Sequence, residues 1–291
     1  MATLRELRRR IGSARNISQI THTMELVAAA KMRRAQMAME ASRPYSEAIA
    51  RVLAELAGKN LEVSHPLLER REVKTRLLVL VTTDRGLCGP LNAISLRAAD
   101  RFIRGEPTAV RLVTVGRKGR DFFRRFVEIV SDHSGMPDRP RLEDVRPAAT
   151  VAIEEFLKGD ADEVWLLYSH YINTLRQVPA RMRLIPPEVP EAEEKKSSGP
   201  ESLYEFEPTP EAVLAQLLPR YVEVQLYHAV LENRASEQAA KMAAMRSATE
   251  NANELIDGLT LQSNKLRQQI ITKELMEIVG GAEALAKAGG R

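Results

Sequence analysis

The sequence has a single cysteine, Cys88, in 291 residues. No intrachain disulfide can form, and a reducing compartment is the expectation. Aromatic residues make up only 4%. No stretch approaches the ~20 apolar residues that a membrane span needs. The first residues, MATLRELRRR, lack the apolar core of a signal sequence and are expected to enter a helix directly. Neither G-x-G-x-x-G nor G-x-x-x-x-G-K-[ST] occurs, so no phosphate cradle is assigned. His65, His133 and His170 stand apart, without the spacing of metal ligands. The sequence therefore predicts no catalytic residue, no metal site and no cofactor.

Another scarcity is local. No proline follows Pro219, and no glycine lies between it and Gly258. The segment is rich in Ala, Leu, Met, Gln and Glu, which lose little on entering a helix. Val224, Leu231, Ala235, Met242, Met245, Ala252, Ile256, Leu259, Leu266 and Ile270 recur at threes, fours and sevens. That is the stripe of a helix wound on a partner, roughly 100 Å long at ~1.5 Å per residue.

The other end of the chain supplies the partner. Thr3 and Glu6 read as a capping box. Leu4, Leu7, Ile11, Ala14, Ile17, Thr21, Met24, Ala28, Ala35 and Met39 recur mostly at threes and fours. The two termini are expected to form an antiparallel coiled coil, against the alternative of a bundle closed within the chain. Pro44 is expected to bend or restart the first helix before Tyr45–Leu56 complete it. Basic clusters at Arg5, Arg8, Arg9 and Arg10 and at Lys31, Arg33 and Arg34 have no interleaved aromatics. They read as solvated or acid-facing flanks rather than as a nucleic-acid patch.

The middle changes character. Leu77–Val81 is a continuous apolar run, as in a strand buried on both faces. Asp84–Pro90 is a turn into a helix. Strands are expected at Ala109–Val115, Phe126–Val130, Asp162–Tyr168 and Met182–Ile185, with helices at Arg117–Phe123 and Leu142–Leu157. Alternating strands and helices imply a Rossmann-like, doubly wound and mainly parallel sheet. Cys88 is at a helix start but has no base beside it, and reads as a core-filling thiol rather than a nucleophile. The polar run 191–200 is a linker. Glu211–Leu218 is expected as a short helix running into Pro219. The expected fold class is thus α/β with a long helical extension. Its divisions are an N-terminal coiled-coil helix (1–58), an α/β domain (74–190), a linker and loop (191–209) and a C-terminal coiled-coil helix (210–288).

Four segments carry a family resemblance: ITHTMELVAAAKMRRAQ (Ile20–Gln36), DRGLCGPLN (Asp84–Asn92), AMRSATENAN (Ala244–Asn253) and ITKELMEIVGGAEAL (Ile271–Leu285). Over its whole length the chain resembles the gamma subunits of rotary F-type ATP synthases, and the last segment is the most specific. Pro90 departs from the family, where glycine is more usual.

The resemblance implies the central rotor shaft of a proton-translocating complex. That rotor couples the turning of a membrane ring to ATP synthesis or hydrolysis on the beta subunits and has no catalytic site of its own. It implies one copy among three alpha and three beta subunits, with the epsilon subunit and the membrane c-ring as further partners. It places the protein peripherally on the cytoplasmic side of the cell membrane, touching the membrane only through the ring and binding no nucleic acid.

By resemblance, Arg267 and Gln268 engage beta as a polar catch, and Met24, Lys31, Arg33 and Arg34 face beta's acidic lever. Ile278, Val279, Ala282 and Leu285 form a bearing tip, and Phe206 and Glu207 meet the ring or epsilon. The alternatives are a non-rotary coiled-coil scaffold and an α/β nucleotide-binding enzyme with helical arms.

Overall fold

The computed structural model describes residues 3–58, 65–105, 107–187 and 209–288. In chain order the elements are α1 (Leu4–Gly58), a 3-10 turn (Pro66–Leu68), β1 (Thr75–Val81), α2 (Leu91–Gly105), β2 (Ala109–Val115), α3 (Arg117–Phe123) and β3 (Ile129–His133). There follow α4 (Leu142–Lys158), β4 (Glu163–Tyr171), β5 (Gln177–Ile185) and α5 (Pro210–Ala288). The chain divides into two compact units: residues 1–27 with 242–291, and residues 28–241.

The larger unit is built on one sheet of order β3-β2-β1-β4-β5. The first four strands are parallel, and β5 runs antiparallel to β4 at the edge. The doubly wound, mainly parallel sheet is as expected. Alternate residues of β1 enter two different cores. Leu77, Val79 and Val81 join α4 residues such as Val145, Ala149 and Phe156. Leu78 and Leu80 join Ala99 and Phe102 of α2 and Phe123 of α3. Burial on both faces is why the run is apolar without alternation.

Three strand bounds differ from the sequence reading. β3 starts at Ile129 rather than Phe126, because the chain turns after α3 and leaves Phe126 77% exposed. β4 extends to Tyr171. β5 begins at Gln177, well before Met182, despite Pro179 and two arginines within it. An edge strand needs pairing on one side only, so a proline there costs no ladder hydrogen bond.

Neither helix breaks at its proline. α1 runs through Pro44 and α5 through Pro219, so the expected restart and the separate short helix do not occur. A mid-helix proline costs ~3 kcal/mol. Here Ile49 and Leu53 of α1 and Leu214, Leu218 and Val222 of α5 are anchored in the core cluster beneath the sheet, which offsets that cost. The same burial explains why the compact units do not divide at the helix ends. Residues 28–58 and 210–241 are as much part of the α/β body as its own helices.

The smaller unit is the pair formed by the start of α1 and the later part of α5. Thr3 Oγ1 accepts the Glu6 N–H at 3.3 Å, capping α1. Leu7, Ile11 and Leu259 form a buried cluster, flanked by Ile256 and Leu266. Ala14, Met245 and Ala252 are buried as predicted, but Ile17 is 54% exposed. The seam at that level is polar: Ser18 Oγ donates to Asn253 Oδ1 at 2.7 Å, and the Thr21 and Thr249 hydroxyls meet at 2.7 Å.

Candidate functional site: an uncovered helix end

The coil runs out of partner before α5 ends. Leu7, close to the first residue of α1, is already packed with Leu259 and Leu266. Every residue from Arg267 through Ala282 is exposed. In this stretch Ile271, Leu275, Ile278 and Val279 fall at i, i+4, i+7 and i+8, one apolar stripe down the helix. Lys273 and Glu277, 3.6 Å apart, lie off that stripe. Ile278 is 68% exposed and Val279 61%. A helical apolar stripe left open to water is the mark of a surface made for another protein.

The residues singled out from the sequence do not all gather at one place. Arg267 and Gln268 stand exposed at the start of the uncovered stretch, and Ile278, Val279 and Ala282 lie along it. The side chain of Leu285 is outside the described residues, as are Phe206 and Glu207. Met24 is half-buried in the smaller unit. Lys31, Arg33 and Arg34 belong to the larger one. Lys31 Nζ is held by Asp138 at 2.5 Å, a partner that sequence spacing does not reveal. Arg34 Nε donates to the Ala30 carbonyl of its own helix, and Arg33 is exposed.

The crevice where an open α/β sheet takes ligands is the switch point, here between the carboxyl ends of β1 and β4. α5 occupies it. Ser236 Oγ donates to the Ser169 carbonyl at 3.1 Å, and Ala240 is packed on Cys88 and Leu91. Cys88 is buried there, its Sγ accepting from Asn92 Nδ2 at 3.2 Å, and burial raises its pKa. It is a core thiol, kept protonated. Gly116, just after β2, has φ +104°, and a Cβ on it would lie 2.3 Å from the Thr82 carbonyl oxygen. The turn thus brings two backbones closer together than any side chain at Gly116 would allow.

α5 is fastened to the sheet by a polar chain centred on the buried Glu232, which the sequence reading missed. Glu232 on α5 accepts from His228 Nε2 at 3.0 Å and is bonded to His170 Nδ1 on β4. It also accepts the Tyr171 N–H at 3.2 Å. The other ring nitrogen of His228 meets Ser42 Oγ on α1 at 2.9 Å. Burial opposes ionisation of Glu232, yet the hydrogen bonds from His228 and His170 outweigh it and lower the carboxyl pKa. Burial, with that carboxylate close by, raises the Tyr168 pKa. The only legible signal was the i, i+4 spacing of His228 and Glu232 on one helix face. Among the described residues no group of His, Cys, Asp and Glu is arranged to hold a metal ion.

A sheet whose ligand crevice is filled by its own helix, joined to a coil with one end uncovered, defines a subunit that works within an assembly. The family described as ATP synthase matches residues 3–285. The ATP synthase gamma chain of Desulforamulus reducens is 49% identical, over 98% of this chain and 100% of its own length. That of Desulfitobacterium hafniense is 46% identical with the same coverage. A chain in the central stalk and c-ring of the Tetrahymena thermophila mitochondrial ATP synthase is 25% identical, with a TM-score of 0.60 over 79% of this chain and 99% of its own. One in the Euglena gracilis mitochondrial ATP synthase (OSCP/F1/c-ring) shares the fold at 20% identity, TM-score 0.66, over 99% of this chain and 96% of its own. The chain belongs to the ATP synthase gamma chain family, and its fold is that of the central stalk.

Proposed function

We propose that this chain is the rotating shaft of a proton-translocating F-type ATP synthase. One copy stands within a ring of three alpha and three beta subunits and is joined to epsilon and the membrane ring. It carries no active site. The observation behind this reading is the uncovered end of α5, an apolar stripe on a single helix that nothing among the described residues covers.

Such a helix turns in a collar of other subunits with few directional bonds to break. Coupling is by differential contact: each orientation of the asymmetric shaft favours a different state of the beta sites. In this reading Arg267 and Gln268 form charge-assisted and polar contacts with beta, Met24, Arg33 and Arg34 face its acidic segment, and Ile278, Val279, Ala282 and Leu285 turn in the collar. Lys31 joins that acidic contact only by exchanging Asp138 for an acid of beta. Phe206 and Glu207 meet the membrane ring and epsilon. Among the described residues no helix is long and apolar enough to cross a membrane. That accords with attachment through the ring, which in this reading is met from the cytoplasmic side.

The test is co-expression with alpha and beta. A complex with one copy of this chain per three alpha and three beta is the expected product. Leu275→Lys with Ile278→Lys should lower its yield without changing the melting of the isolated chain. Full assembly of that variant with undiminished coupled synthesis would overturn the assignment of this end as the bearing.

A further inference from the structure

A second cleft, of about 250 Å³, opens at the carboxyl ends of β1, β2 and β3. The turn after β1, the start of α3 and the loop at Gly135 border it, and α5 lines it from the other side. Five cations meet only three carboxylates there, leaving two positive charges in excess.

The inner charges are mutually satisfied. Glu237, nearly sealed from solvent, accepts from Arg234 at 2.8 Å and Lys241 at 3.0 Å. Arg234 also donates to the Met136 carbonyl at 2.7 Å. Asp84 Oδ1 accepts the backbone N–H groups of Arg117 at 3.1 Å and Gly135 at 2.9 Å, so a carboxylate already sits where two loop amides converge. Lys31 is held by Asp138. The excess therefore resides on Arg85 and Arg117. Both are exposed, and among the described residues neither guanidinium has a hydrogen-bond or ion-pair partner.

We propose that this cleft binds a phosphate-class oxyanion through the side chains of Arg85 and Arg117, with Lys31 and Lys241 adding longer-range attraction. A guanidinium presents a planar fork of donors that matches two oxygens of such an anion, and charge-assisted bonds of this kind are the strong ones. The site is smaller than the ~300 Å³ at which pockets for drug-sized ligands begin, so it suits phosphate or diphosphate rather than an enclosed nucleotide. It is separate from the uncovered end of α5 and does not depend on that assignment.

The experiment is titration calorimetry on the full chain, replacing chloride by phosphate or pyrophosphate at constant ionic strength. Saturable one-to-one binding is expected, tighter for pyrophosphate. Arg85→Gln with Arg117→Gln should weaken it by about tenfold or more. Asp138→Asn removes the carboxylate that faces Arg85 and Lys31, and should tighten it by about threefold. Because this effect has the opposite sign, it cannot come from misfolding. Arg124→Gln, outside the cleft, should leave binding unchanged. No saturable heat, affinity that survives loss of both arginines, or no tightening on Asp138→Asn overturns the proposal.

Discussion

Ser18 Oγ on α1 donates to Asn253 Oδ1 on α5 at 2.7 Å, and one turn further the Thr21 and Thr249 hydroxyls meet at the same distance. Positions rise along α1 as they fall along α5, so the helices are antiparallel. An apolar seam alone tolerates a slip of one turn, whereas a polar pair does so only by losing its bond. The register places Leu259 with Leu7 and Ile11.

Ile256 packs on that cluster, whereas Ile17 and Glu254 are exposed. Ile256→Asp should destabilise the coil by about 2 kcal/mol or more, since a carboxylate there lacks a partner. In membranes it should lower ATP-driven proton pumping relative to ATP hydrolysis. Ile17→Asp and Glu254→Gln, being surface changes, should stay within about 0.5 kcal/mol of the parent. Equal pumping-to-hydrolysis ratios for all three would mean that this seam does not hold the shaft together.

Arg267 is exposed in the uncovered stretch of α5. Arg267→Ala should leave the melting of the isolated chain unchanged but slow steady-state ATP hydrolysis by the assembled complex several-fold, through loss of a charge-assisted contact. Unaltered turnover in a fully assembled complex would remove Arg267 from the contact surface.

Glu232 has a lowered pKa in the folded chain. Its stabilising contribution is therefore complete above the unfolded value, about 4.3. It is lost as pH falls through the lower folded value. Glu232→Gln should cost about 1–3 kcal/mol at neutral pH, and stability should fall less steeply below pH ~4.3. Urea midpoints from neutral to strongly acid pH measure both effects. A variant with the parent's acid slope would show that Glu232 does not carry it.

The sheet's switch point is closed by Ser236 and Ala240 of α5. The purified chain alone should not turn over ATP. Sustained ATP hydrolysis, free of alpha and beta, would contradict a non-catalytic role.

Much of the fold is legible because its signals are local. The run Leu77–Val81 has no polar face, and the long proline-free segment after Pro219 carries a repeat only a helix can use. The family signature at Ile271–Leu285 likewise stands in consecutive residues. Other features required distant residues to meet. Pro44 and Pro219 look like breaks until the core holding Ile49, Leu53, Leu214 and Leu218 is seen. Ile17 fits the apolar stripe by spacing, but the crossing of two helices turns Ser18 and Thr21 inward instead.

Sequence alone determined which segments are helical and which extended, though not all their bounds, together with the sheet class and the absence of a phosphate motif, since each depends on periodicity or on neighbouring residues. Tertiary structure alone decided the register, the filling of the switch point, and the union of Ser42, His170, His228 and Glu232 from three elements. It also decided where the coil stops covering α5. Each of these depends on which surfaces face one another across long separations in the chain, and no local pattern encodes that.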